Sequence, residues 1–165
     1  MGSGKSTVGR ALARRLNCSF LDLDTRIEAT AGCSIAEIFD HRGEAVFRDL
    51  EQRELRAALE EPNATAVLAL GGGAFVQPQN AALIAQSGGL TVWLDAPEEV
   101  LLNRCESGEG TRPLAHDPNR FHRLYRERLP FYARARLRVD ATAAPESVVE
   151  QILAGLGLPP AGEEA

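Results

Sequence analysis

The sequence predicts an α/β fold with a parallel sheet, and three observations carry that reading. Helical and strand patterns alternate along most of the 165 residues. The apolar run at 66–70 is continuous rather than alternating, as a strand covered on both faces requires, and 90–94 reads as a second buried strand. The chain opens on Gly2-Ser3-Gly4-Lys5-Ser6-Thr7, a glycine-rich turn leading into a helical pattern. Such a turn is the phosphate-cradling half of a P-loop.

Each element has its own signal. Val8, Leu12 and Leu16 recur at four-residue spacing and predict a first amphipathic helix. Residues 19–24 read as a strand in which apolar and acidic side chains alternate. Ser34-Ile35-Ala36-Glu37 is a capping-box pattern opening a short helix that stops at Gly43. A longer helix follows from Glu44 to about Glu61, closed by Pro62 and Asn63. The run at 66–70 predicts a buried strand that ends in Gly71, Gly72 and Gly73. Pro78 starts a helix, 90–94 is a second buried strand ending at Asp95, and Pro97 at N1 begins a helix ending near Arg104. After a flexible stretch at 107–110, Asp117-Pro118 caps a helix running toward Pro130. The last strand is 137–140 and the last helix 145–156, with a loose, disordered tail at 157–165. Four strands are visible, and the first βα unit has its loop and helix but no strand. Without repeats or a long linker, residues 1–156 are expected to form one domain.

Composition excludes several classes. With 44% apolar and 25% charged residues, the chain is an ordinary globular one. No apolar run approaches the ~20 residues that cross a bilayer, and no signal-peptide pattern opens the chain. Cys18, Cys33 and Cys105 are odd in number and lack metal-ligand spacing, which suits reduced thiols in the cytoplasm. A net charge of −5 argues against nucleic acid as a partner. Nine of the seventeen arginines nonetheless fall between Arg104 and Arg138, about half of them on a solvated helical face and the rest suited to an anionic small molecule.

Lys5 is the only lysine. In a P-loop, backbone N–H groups wrap the phosphates, the lysine reaches the β/γ-phosphates and the following hydroxyl, here Ser6, holds Mg²⁺. A slim ammonium enters such a cradle where a planar guanidinium is too wide. Asp22 and Asp24 end the predicted strand, at the sheet edge where open α/β folds bind ligands. At i and i+2 they face one side of a strand, so one can help hold hydrated Mg²⁺ while the other meets substrate hydroxyls. Both also suit a cap for the following helix.

Gly-Ser-Gly-Lys-Ser-Thr with Asp22-Leu23-Asp24 at this spacing resembles the shikimate kinases. Three further motifs keep that family's order: Gly43-Glu44 with Phe47-Arg48 and Glu51, then Leu70-Gly71-Gly72-Gly73, then Thr111-Arg112-Pro113-Leu114 with Arg128-Leu129-Pro130-Phe131-Tyr132. The resemblance spans residues 1 to about 155. It implies a P-loop three-layer fold, a parallel sheet of order 2-3-1-4-5 flanked by helices, with substrate-binding helices and a mobile lid at about 105–120. It further implies that ATP is the co-substrate, Mg²⁺ the cofactor and shikimate the partner, with no nucleic acid or membrane involved. The protein is expected to act as a monomer in the cytoplasm. Lys5, Asp24 and Arg112 would be catalytic, with Arg112 stabilising the phosphoryl group in flight from the lid. Gly2, Ser3, Gly4, Lys5, Ser6, Thr7, Arg104 and Arg112 would bind the nucleotide, Arg104 by stacking on adenine. Asp24, Arg48, Gly71, Gly72, Gly73 and Arg128 would bind shikimate, the two arginines as carboxylate forks. Ser6 and Asp22 would serve the metal, and Glu51 would hold Arg48 from one turn away. His41, His116 and His122 fall outside every motif and read as surface residues, while Trp93 reads as core.

The family's first strand and outer P-loop glycine have no counterpart. Losing several buried side chains at ~1.5–3 kcal/mol each would rival a domain's whole stability. Met1 is therefore read as an internal methionine taken for a start. Two other functions fit the same fold. One is a related kinase acting on gluconate or a nucleoside monophosphate, and the other is an inactive sensor that binds shikimate without turnover.

Overall fold

The computed structural model describes residues 2–61, 65–107 and 117–157. In chain order it contains α1 (Lys5–Arg15), β1 (Ser19–Asp22), α2 (Leu23–Ala31), α3 (Ile35–Glu60) and β2 (Ala66–Ala69). A 3₁₀ turn (Ala74–Val76) and α4 (Pro78–Gln86) follow, then β3 (Val92–Asp95), α5 (Glu98–Ser107), α6 (Pro118–Tyr132), β4 (Leu137–Asp140) and α7 (Pro145–Leu156). These elements gather into two compact units, one within Met1–Leu16 and Leu90–Ala165, the other within Asn17–Gly89.

In the Asn17–Gly89 unit, β1 and β2 pair in parallel, from Ser19 opposite Ala66 to Asp22 opposite Ala69. Helices α2 and α3 pack on each other around Leu23, Ile27, Ile38, Phe47 and Leu55, joined by Ala74 and Ile84. Ser34 caps α3 as its sequence predicts. Its hydroxyl accepts the Glu37 N–H at 3.2 Å, and the Glu37 carboxylate accepts the Ser34 N–H at 2.8 Å. Gly43, at φ 80 and ψ 168, breaks α3 into the two helical stretches foreseen on either side of it. The second stretch carries Arg48 and Glu51.

In the other unit, β3 and β4 pair in parallel, from Val92 opposite Leu137 to Asp95 opposite Asp140. Helices α1 and α7 pack together and bury Val8, Leu12 and Ala13 with Val148, Val149, Ile152 and Leu153. Helices α5 and α6 enclose Leu101, Cys105 and Phe121 with Ala96. The two strand pairs are the 2-3 and 4-5 neighbours of the order implied by the resemblance. Among the described residues no helix is long and apolar enough to cross a membrane.

Several expectations need correction. The strand expected at 19–24 ends at Asp22, because the Asp22 carboxylate accepts the Asp24 N–H at 3.1 Å and so starts α2 at Leu23. Leu23 is fully buried on that helix, so Asp22 and Asp24 do not share a strand face. The strand at 90–94 begins later, at Val92, and Leu90 is 50% exposed. Strands β2 and β3 are mostly half-buried, since each has one strand neighbour among the described residues. Pro97 is the N-cap of α5 rather than N1: its carbonyl accepts the Leu101 N–H at 3.1 Å, and the helix runs on to Ser107. Of the segment assigned to a lid, 105–107 and 118–120 are helical, and 108–116 lies outside the described residues, as do Pro62, Asn63 and 158–165.

Candidate functional site

The residues expected to bind phosphate lie in the unit that contains α1. Gly4 sits at φ 81 in the left-handed region and caps α1 without a side chain, so the N–H groups of Lys5, Ser6 and Thr7 open a helix bearing no acidic residue in its first turn. The helix dipole and these donors together favour an anion. Gly2, at φ 63, presses the turn against α5: a Cβ there would strike the Leu101 carbonyl oxygen and lie 3.0 Å from Cys105 Sγ. Only glycine fits at position 2.

Arg104 reaches from α5 to the loop after β4, donating to the Ala141 carbonyl at 2.8 Å and the Thr142 carbonyl at 3.4 Å. That loop is tightened by Asp140, whose carboxylate accepts from the Thr142 hydroxyl and N–H and is held below the usual range by those two bonds. A guanidinium fixed by its edge keeps a flat face for stacking. Arg128 lies half-buried on α6 and hydrogen-bonds Tyr132 one turn on. Burial pushes the Tyr132 hydroxyl up, against the opposing pull of the Arg128 charge and hydrogen bond. Arg112 lies outside the described residues.

Asp24, Arg48 and Gly71 to Gly73, expected to bind the acceptor, lie in the Asn17–Gly89 unit, where three segments converge. Asp24, in the first turn of α2, packs on the glycine loop: a Cβ on Gly71 would stand 2.6 Å from its Oδ1. Arg48 is held on two sides. Its Nε and Nη2 donate to Glu44 Oε1 at 3.2 and 3.0 Å, and its Nη1 donates to Glu51 Oε1 and Oε2 at 3.1 and 2.9 Å. A Cβ on Gly73 would fall 2.9 Å from Nη1 and 3.1 Å from Nη2. The guanidinium therefore lies directly against bare backbone.

The two carboxylates beside Arg48 are not equivalent. Glu44 is 65% exposed and its bond is screened by water, whereas Glu51 is 1% exposed. Burial raises the Glu51 pKa, and the Arg48 hydrogen bond and charge oppose that rise. The Asp24 charge raises it further, which places both acids in one electrostatic neighbourhood. A fixed cationic fork, an acidic hydrogen-bond acceptor and exposed peptide backbone together suit a small molecule carrying one carboxylate and several hydroxyls.

Of the predicted residues, the structure brings together Asp22 with Asp24, Asp24 with Gly71, and Arg48 with Glu51 and Gly73. Gly2, Ser3, Gly4, Lys5, Ser6 and Thr7 form one continuous turn and helix start. His41 is exposed as expected, and His116 lies outside the described residues. His122 has a partly exposed side chain whose Nδ1 meets Glu98 Oε1 at 2.7 Å across α5 and α6. Trp93 is half-buried in β3, with the Arg138 guanidinium 4.8 Å from its ring centre. Two residues were given no role from the sequence. Glu44, quoted in the Gly43-Glu44 motif, had a signal in its i,i+4 spacing to Arg48. Asn80 had a weaker one, an amide four residues from buried Ile84 on the inner face of α4.

Comparison with known proteins bears on all of this. The sequence model of a family described as shikimate kinase matches residues 1–156. A shikimate kinase from Gloeobacter violaceus is 46% identical over 156 residues, covering 93% of this chain and 86% of that protein. The crystal structure of shikimate kinase from Bacteroides thetaiotaomicron superposes with a TM-score of 0.88 at 32% identity, covering 96% of this chain and 94% of that one. Shikimate kinase from Acinetobacter baumannii in complex with shikimate matches with a TM-score of 0.85 at 34% identity, over 94% of this chain and 88% of that one.

Proposed function

The chain belongs to the shikimate kinase family, and on that premise we propose that it transfers the γ-phosphoryl group of ATP to the 3-hydroxyl of shikimate. The observation that carries this reading is the Arg48 fork, fixed by Glu44 and Glu51 against the backbone of Gly73. A carboxylate is the ligand that such a fork takes, and Asp24 beside Gly71 meets the hydroxyls of the same molecule.

Chemistry then follows from the residues. Arg48 and Arg128 bind the shikimate carboxylate, and Gly71, Gly72 and Gly73 approach its ring with bare backbone. Asp24 orients the 3-hydroxyl and accepts its proton as the oxygen bonds to the γ-phosphorus. The bond from that phosphorus to the bridging oxygen breaks, and ADP leaves with its electron pair. Lys5, with the N–H groups of the turn from Gly2 to Thr7, neutralises the phosphoryl group, while Arg104 stacks on adenine and Arg112 adds charge during transfer. Among the described residues no three His, Cys, Asp or Glu side chains gather as a metal cage. The Ser6 hydroxyl and the Asp22 carboxylate are hard oxygen donors of the kind Mg²⁺ takes, and they would be its protein contacts. When bound, Mg²⁺ supplies charge neutralisation at the β- and γ-phosphates. The family match over residues 1–156 supports one kinase domain, which we take to act as a cytoplasmic monomer.

An ADP-release assay with shikimate, gluconate and nucleoside monophosphates as acceptors tests the reading. Turnover is expected with shikimate alone. Turnover with gluconate but not shikimate, or shikimate binding without ADP release, would overturn it.

A further inference from the structure

The Glu51 carboxylate has a second partner besides Arg48, on the same Oε2 that Arg48 Nη1 meets at 2.9 Å. Asn80, the third residue of α4, is 2% exposed, and its Nδ2 lies 3.4 Å from Glu51 Oε2. Its Oδ1 is buried with no hydrogen-bond partner among the described residues. A buried amide with one unmatched end is a costly way to fill space, since an apolar side chain such as leucine, of similar branched shape, carries no polar atom. What the amide supplies, and leucine would not, is a donor to a carboxylate that is itself buried and can only accept.

The placement along the chain gives that donor a purpose. Asn80 follows the glycine loop by one short turn, and Glu51 stands one helical turn beyond Arg48. The contact ties α4 to α3 at the point where the Arg48 guanidinium meets Gly73. The geometry points to Asn80 as a positioning residue for acceptor binding: its amide fixes the Glu51 carboxylate that in turn aims Arg48 at the substrate carboxylate. This role rests on the reading of Arg48 as the carboxylate fork. It acts on shikimate and leaves the nucleotide untouched, because neither Asn80 nor Glu51 belongs to the phosphate-binding turn.

Three variants of the full chain test it: Asn80→Leu, Asn80→Asp and Arg48→Ala, each with thermal unfolding and separate KM values for shikimate and ATP. Asn80→Leu is expected to raise the shikimate KM about tenfold, the worth of one hydrogen bond to a charged group, with the ATP KM unchanged within about twofold. Asn80→Asp sets a second carboxylate beside Glu51, so the pair holds one proton at mildly acidic pH. Its shikimate KM is therefore expected to be high at alkaline pH and to recover toward wild type as pH falls and the shared proton restores the bridge. A role in packing alone would show no such recovery. The Glu51 carboxyl, followed by carbon NMR, is expected to titrate higher in Asn80→Leu than in the wild type. A normal shikimate KM in Asn80→Leu alongside a raised one in Arg48→Ala would overturn the role of Asn80 and leave the fork intact. Equal rises in both KM values, or an unmoved Glu51 titration, would also overturn it. A normal shikimate KM in Arg48→Ala would remove the fork itself, and the role of Asn80 with it.

Discussion

Position 5 shows how much a single side chain can specify. Seventeen arginines serve elsewhere, yet the residue that opens α1 behind the left-handed Gly4 is the only lysine. If its task is to enter a phosphate cradle as a point charge, Lys5→Arg keeps the charge and loses the fit. The variant is expected to cut kcat at least ~10²-fold in an ADP-release assay. Its melting temperature should stay near that of the wild type, since Lys5 is not part of the buried core. Gly73 makes the complementary point. Its backbone, at φ −97 and ψ −18, suits any residue, so Gly73→Ala introduces no backbone strain. The added methyl would meet Arg48 at 2.9 Å and push the fork aside. The shikimate KM is expected to rise about tenfold with the ATP KM unchanged, as loss of binding in ground and transition state alike would give.

At the scale of elements, the break in α3 separates a structural helix from a functional one. Ser34 and Glu37 cap the first stretch, and the second aims Glu44, Arg48 and Glu51 at one place. Gly43 joins them at φ 80 and ψ 168, a region open essentially to glycine alone, where a side chain costs roughly 1–3 kcal/mol. Gly43→Ala should lower the urea midpoint accordingly and raise the shikimate KM, because the strained joint sets the direction of the second stretch. Ser34→Ala should lose about 1 kcal/mol by the same unfolding measurement and leave both KM values alone. Boundaries of this kind were legible where a residue type has one structural use. Pro145 opens α7, Asp117 with Pro118 opens α6, and Gly43 interrupts α3 where the sequence predicts. Residues 19–24 were misread because alternation continues unchanged from a strand into a capped helix. An Asp that ends one element and starts the next gives no local sign of which role it takes. Arg48 and Glu51, proposed as the acceptor fork, could be named from the order of motifs along the chain. Asn80 was not, because its importance lies in burial against Glu51, a contact across 29 residues.

For the whole molecule, the same buried carboxylate links ligand binding to stability. The Glu51 pKa is raised in the folded protein, chiefly by burial, above its ordinary value of 4.5. Between those two values the folded chain binds more protons than the unfolded one, so stability falls as pH rises through the folded pKa. Glu37 works in the opposite sense. Its hydrogen bonds from Ser34 hold its pKa below 4.5, so its contribution is present above that value and fades as pH falls through the lower folded one. Urea unfolding followed from well below pH 4.5 upward should therefore show a decline above that value that Glu51→Gln flattens, and an acid-side loss below it that Ser34→Ala reduces. Function runs against stability at Glu51. The ionised carboxylate that costs the fold is the one that holds Arg48, and its protonation should loosen the fork. Shikimate affinity is accordingly expected to weaken toward acid pH in the wild type, while the ATP KM moves far less. Glu51→Gln should show a raised shikimate KM that no longer follows the Glu51 titration. If the wild-type shikimate KM stays flat across that titration, Glu51 does not act through its charge.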